Sequence, residues 1–81
     1  MRIRVKLFAG AREAAGRDSI DLDLPEGATV AQLRRQLATE VPRLSGLIAR
    51  VMFAVDTRYA DDASIIRPNA EVACIPPVSG G

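Results

Sequence analysis

An alternation at the N-terminus constrains the fold more than any other feature. Ile3, Val5 and Leu7 alternate with Arg2, Arg4 and Lys6. A period of two sets the apolar residues on one face of a strand and the cations on the other. The pattern returns at Ile20, Leu22 and Leu24, with Ser19, Asp21 and Asp23 on the opposite face. Alternating strands that follow one another in sequence tend to pair antiparallel. Asp21 and Asp23 are therefore expected near Arg4 and Lys6 as cross-strand charge pairs on a solvated sheet face. Between the strands, Ala9 to Gly16 is expected as a loop or one helical turn stopped by Gly16.

Pro25, Glu26 and Gly27 break the second strand. Thr29, with Gln32 three residues on, has the form of a capping box. Val30, Leu33, Leu37 and Val41 then follow as an apolar helical stripe, leaving Arg34, Arg35, Gln36 and Glu40 to solvent. Pro42 ends the helix because it has no backbone donor, and a short turn through Leu44, Leu47 and Ile48 is expected under the sheet. Val51 to Asp56 reads as a third strand whose parity is open, with Phe53 and Val55 placed inward. Thr57 to Ser64 reads as loop and Ile65-Ile66 as a two-residue strand. Arg67 to Ala70 reads as a tight turn with Asn69 left-handed, and Glu71 to Ile75 as the last strand, Val72 and Cys74 facing the helix. The order predicts an α+β layer: a mixed sheet of four to five strands with one main helix packed on one face. Residues 1-75 form the domain and residues 76-81 a flexible tail.

A chain of 81 residues is one domain and buries only about 60% of its unfolded surface, too little for a large enclosed active site. Eleven basic against ten acidic side chains leave a net charge of +1. The longest basic run is Arg34-Arg35, so no nucleic-acid partner is expected. The chain has no His and no Trp. Without imidazole the usual metal site, the Ser-His-Asp triad and the Cys-His dyad are unavailable, and no metal is expected. Cys74, the single thiol, makes no internal disulfide, which fits a reducing compartment. In phase with Val72 it is expected as a small buried hydrophobe, and Asp61-Asp62 as part of a solvated loop. The charged N-terminus lacks the apolar region of a signal peptide, and no stretch reaches the ~18 apolar residues of a membrane helix. A cytoplasmic chain without a membrane partner is expected.

The last six residues, Pro76, Pro77, Val78, Ser79, Gly80 and Gly81, follow a buried strand directly. Two prolines offer no donors and hold the backbone extended, so strand pairing ends there. Glycine has no Cβ, and two at the end make the narrowest peptide for threading into a slot on another protein. Two terminal glycines arise by chance about once in 200 chains. The terminal carboxylate is also a handle: an ATP-dependent enzyme can make it an acyl-adenylate, and a sulfur donor can displace AMP to leave a thiocarboxylate. Phe8 and Ile75 are expected on the open sheet face near the root of this tail, an exposed aromatic beside a β-branched neighbour, as a partner-docking surface.

Four stretches resemble the molybdopterin synthase small subunit, a ubiquitin-like sulfur carrier of the β-grasp fold. They are Leu7-Phe8-Ala9 through Arg12-Glu13 to Gly16; Leu24 to Gly27 with Thr29, Val30 and Leu33; Phe53-Ala54-Val55; and Glu71-Val72-Ala73 with Ile75 to Gly81. The terminal Pro-Pro-Val-Ser-Gly-Gly is the most specific of them. The resemblance implies that first and last strands pair in parallel at the sheet centre. It implies that an E1-like adenylyltransferase activates Gly81 with ATP and that a sulfur-transfer enzyme converts it to a thiocarboxylate. Residues 76-81 would then enter the large subunit of molybdopterin synthase, within a heterotetramer, and pass sulfur to cyclic pyranopterin monophosphate. No permanently bound cofactor is implied; ATP is used by the adenylyltransferase. Carriers for thiazole formation or tRNA thiolation, a ubiquitin-like modifier joined to lysines, and an interaction module with an inert tail are the alternatives. Asn69-Ala70 stands where the family commonly has Gly-Asp, losing a capping carboxylate, and Asp56 stands where Asn is frequent.

Overall fold

The computed structural model describes residues 1–77. Strand β1, Arg2–Leu7, leads through helix α1, Ala9–Ala15, to strand β2, Ser19–Asp23. Helix α2 spans Val30–Glu40, followed by a 3-10 turn at Pro42–Leu44 and strands β3, Met52–Val55, β4, Arg58–Ala60, and β5, Val72–Ile75. Among the described residues these strands form one mixed sheet in the order β2-β1-β5-β3-β4. β1 and β5 run parallel at its centre, Val5 beside Val72 and Leu7 beside Cys74, while the other pairings are antiparallel. The chain thus has the expected β-grasp arrangement.

The alternation in β1 and β2 is kept: Ile3, Val5, Leu7, Ile20, Leu22 and Leu24 are all buried. Helix α2 lays Val30, Leu33 and Leu37 onto the same face. It begins as the sequence indicates. The Gln32 N–H donates to Thr29 Oγ1 at 3.3 Å and the Thr29 N–H to Gln32 Oε1 at 2.8 Å, so two otherwise unpaired donors are satisfied reciprocally. Phe53, the largest fully buried side chain, closes the core with Leu44, Ile66, Val72 and Cys74. Val55 packs partly buried against this cluster, so the inward parity of β3 holds.

Several expectations need correction. Ala9 to Gly16 is more than a loop or one turn: α1 has seven residues and ends at a left-handed Gly16, φ 71°, whose N–H donates to Arg12 O. The register sets Asp21 opposite Arg4 as expected but Asp23 opposite Arg2, and Lys6 faces Ser19. Thr57 to Ser64 is not all loop, since β4 pairs with β3 through a two-residue turn at Asp56 and Thr57. Both turn residues have positive φ, 50° and 70°, the requirement of a hairpin turn that follows the sheet twist. That turn usually announces itself as Asn-Gly or Asp-Gly, and here a β-branched Thr takes the glycine position at a conformational cost. Ile65 makes only an isolated bridge to Thr29 rather than a two-residue strand, and Ile66 is buried.

Arg34 is not left to solvent. Its Nη1 donates to the carbonyls of Ile48 at 2.6 Å and Val51 at 2.8 Å, and its Nη2 to Asp62 Oδ1 at 2.9 Å. The guanidinium lies 5.0 Å from the centre of the Phe53 ring, within cation–π range. One side chain thereby ties α2 to the turn before β3 and to the loop after β4. Asn69 is left-handed as expected, φ 64°. The Asp56 carboxylate accepts the Glu71 N–H at 3.0 Å, so the carboxylate missing at Ala70 is supplied from the neighbouring turn.

Replacing Thr29 with Ala removes one half of the capping box. We expect Thr29→Ala to lower unfolding free energy by about 1 kcal/mol in urea titrations, with the native spectrum retained.

Candidate functional site

The site is built where β1 and β5 end side by side. The Phe8 N–H donates to the Cys74 carbonyl at 3.2 Å, extending the parallel ladder by one bond and fixing Phe8 beside Ile75. Phe8 then becomes the residue before α1, its own carbonyl accepting from Ala11 at 3.0 Å. Ala9 adopts a positive φ of 48° to make that turn, a conformation costly for a residue with a Cβ.

Phe8 and Ile75 come together, as the sequence indicates, in a groove of about 560 Å³ that also includes Ala9, Gly10, Glu13, Leu47, Pro76 and Pro77. Phe8 is 45% exposed and Ile75 half-buried. Pro76 is buried and Pro77 exposed, so the last described residue stands at the mouth of an apolar groove. Val78, Ser79, Gly80 and Gly81 lie outside the described residues. The sequence does not place Gly10, Glu13 or Leu47 in this groove. The spacing of Leu47 from Leu44 carried a packing signal, but nothing in sequence placed α1 against that turn.

The remaining titratable groups give no reaction centre within the described part. Cys74 is fully buried; burial pushes its thiol up to about 11, only partly opposed by the positive charge of Arg34. It stays a protonated thiol and a poor nucleophile. Asp61 accepts from the Ala63 N–H and the Ser64 hydroxyl and Asp62 from Arg34, so the two carboxylates serve the loop. On the open sheet face Arg4 Nε donates to Asp21 Oδ1 at 3.0 Å, and that hydrogen bond holds the Asp21 carboxyl below its ordinary range. Among the described residues no group of three His, Cys, Asp or Glu side chains could hold a metal, and no helix is long and apolar enough to cross a membrane. What the described residues present is an apolar groove that reaches as far as Pro77.

The ThiS family pattern matches residues 5–81, from Val5 within β1 to the terminal glycines. The chain belongs to the ThiS family. Over its whole length it is 36% identical to the molybdopterin synthase sulfur carrier subunit of Arabidopsis thaliana, covering 84% of that protein. SAMP1 from Haloferax volcanii superposes with a TM-score of 0.88 at 27% identity, each chain covered completely. A chain from the complex of subunits 1 and 2 of the molybdopterin-converting factor of Helicobacter pylori has a TM-score of 0.71 at 17% identity, both chains fully covered; this likeness concerns the fold alone. This ThiS-family chain therefore shares sequence with sulfur carriers and its ubiquitin-like fold with a wider set.

The buried thiol generates a test. Cys74 should react with an alkylating reagent at neutral pH far more slowly in the native chain than after denaturation, measured by intact mass. Its raised value also fixes a sign: the stability it contributes is complete below the ordinary thiol value of 9.0 and is lost as pH rises towards about 11, because the unfolded thiol ionises first.

Proposed function

We propose that this chain is the sulfur carrier subunit of a molybdopterin synthase and that Gly81 is its reactive group. The observation that carries the reading is the end-to-end likeness to a molybdopterin synthase sulfur carrier subunit, together with the Gly80-Gly81 terminus. The chain is a carrier and not an enzyme on its own. The Gly81 carboxylate attacks the α-phosphate of ATP on an E1-like adenylyltransferase, releasing pyrophosphate and leaving an acyl-adenylate. A sulfur-transfer enzyme supplies a sulfide-level sulfur nucleophile that displaces AMP, giving a thiocarboxylate. On the large subunit this sulfur passes to cyclic pyranopterin monophosphate, and water supplies the oxygen that returns Gly81 to a carboxylate. Two loaded carriers serve each dithiolene, in a heterotetramer with two large subunits.

In this reading Pro76, Pro77, Val78, Ser79 and Gly80 deliver Gly81 into the large subunit, and Phe8 and Ile75 dock the body against it. The apolar groove supports the docking role, because an exposed aromatic next to an outgoing peptide gains most when a partner removes it from water. The ATP belongs to the adenylyltransferase, and the reactions take place in the cytoplasm. The likeness to SAMP1 favours a second reading, a protein modifier joined through Gly81 to lysines of other proteins. Both readings share the adenylate and part at the acceptor.

Intact-mass measurement after incubation with the adenylyltransferase, ATP and a sulfur source should show one oxygen replaced by sulfur, and deletion of Gly81 should abolish the gain. Unchanged mass with an active adenylyltransferase would overturn the sulfur-carrier assignment and leave a conjugation tail or an inert one, and isopeptide-linked adducts in lysate without a thiocarboxylate would turn it to the modifier. Phe8→Asp should leave the thermal transition in place and weaken large-subunit binding about tenfold or more in calorimetric titration.

A further inference from the structure

The open face of the sheet carries a trough that the tail chemistry does not use. Along the β1–β5 boundary, Arg2, Arg4 and Lys6 form one wall and Asn69, Ala70 and Glu71 the other, enclosing about 310 Å³. The trough continues into a dimple of about 190 Å³ where Phe8, Ala54 and Ala73 surround an apolar floor, with Lys6 and Glu71 at the rim. Ala54 and Ala73 are paired across β3 and β5, so two small side chains lie between Lys6 on β1 and Tyr59 on β4. The floor is low because of those alanines.

Charge on this face is unevenly satisfied. Arg2 pairs with Asp23 at 3.4 Å and Arg4 with Asp21 at 3.0 Å. Lys6 stands between Ser19 and Ala73, and neither neighbour is acidic. Among the described residues Lys6 and Glu71 take part in none of the ion pairs. Lys6 is also the chain's single lysine, since the other ten basic residues are arginines.

We propose that this trough selects the partner protein: the dimple receives one bulky apolar side chain of the partner, and Lys6 pairs with a carboxylate carried beside it. Glu71 on the opposite rim repels a carboxylate placed over it, which confines the acidic group to the β1 side and fixes the orientation of docking. A phosphate-bearing polymer is a poor occupant, because one unpaired cation flanked by a carboxylate offers no run of phosphate contacts. The proposal rests on the reading of the chain as a carrier that docks the large subunit, and it adds the chemistry that this surface selects.

The test uses the full chain and the purified cognate large subunit in calorimetric titrations at several salt concentrations. Lys6→Glu should weaken binding about tenfold or more and reverse the salt dependence, whereas Lys6→Arg should bind within about twofold of the native chain. Ala54→Leu, which fills the dimple without changing charge, should weaken binding by a similar factor with an unaltered salt slope. Thermal transitions of all three variants are checked against the native chain, and the salt slope of the native chain itself supplies a reading independent of any variant. If the native chain binds and either Lys6→Glu or Ala54→Leu binds as well as it does, the trough is not the selecting surface. A folded native chain that fails to bind the large subunit overturns the carrier reading itself.

Discussion

The parallel ladder between Val5–Leu7 and Val72–Cys74 joins nearly the whole length of the chain, and the remaining structure is arranged by it. Parallel strands cannot be joined by a tight turn, so everything from α1 to β4 has to be accommodated in the connection. Closing so long a loop is entropically unfavourable until the non-local contacts form. The offset comes from one shared apolar face: Val5, Leu7, Val72 and Cys74 all lie in the cluster that α2 and Phe53 cover. The same ladder brings Phe8 to Ile75 and thereby sets an exposed aromatic beside Pro76 and Pro77.

The fold separates packing from chemistry. Every buried side chain of the core is apolar or the Cys74 thiol, and the thiol is held protonated by the burial that makes it useful for packing. The strand period that sends Ile3, Val5 and Leu7 into the core sends Arg2, Arg4 and Lys6 to the open face. A domain this small has no room for an enclosed reaction centre, and the proposed carrier role requires none.

Arg34 shows how one side chain can escape a pattern. In the helical stripe it falls among polar residues, yet its guanidinium bonds three groups contributed by residues 48, 51 and 62. A long stem lets such a residue cover Phe53 while its charge finds oxygen acceptors. The period of α2 locates Val30, Leu33 and Leu37 correctly because burial there follows from the helix alone. The role of Arg34 depends on which loops happen to pass over it.

Local rules determined much of this protein in advance. The alternation of β1 and β2, the Thr29–Gln32 capping box, the left-handed Asn69 and the stop at Pro42 follow from steric and hydrogen-bonding requirements within a few residues of each position. The Gly80-Gly81 end after two prolines is legible in the same way, and the proposed carrier chemistry rests on it. Only the tertiary structure decided the offset of Asp23 to Arg2, the hairpin through Asp56 and Thr57, the Asp56 carboxylate capping Glu71, and the groove that unites Phe8, Leu47 and Ile75. These depend on register and on the meeting of segments far apart in sequence. A strand pattern specifies which face a residue occupies, but which residue stands opposite is set by packing of the whole sheet.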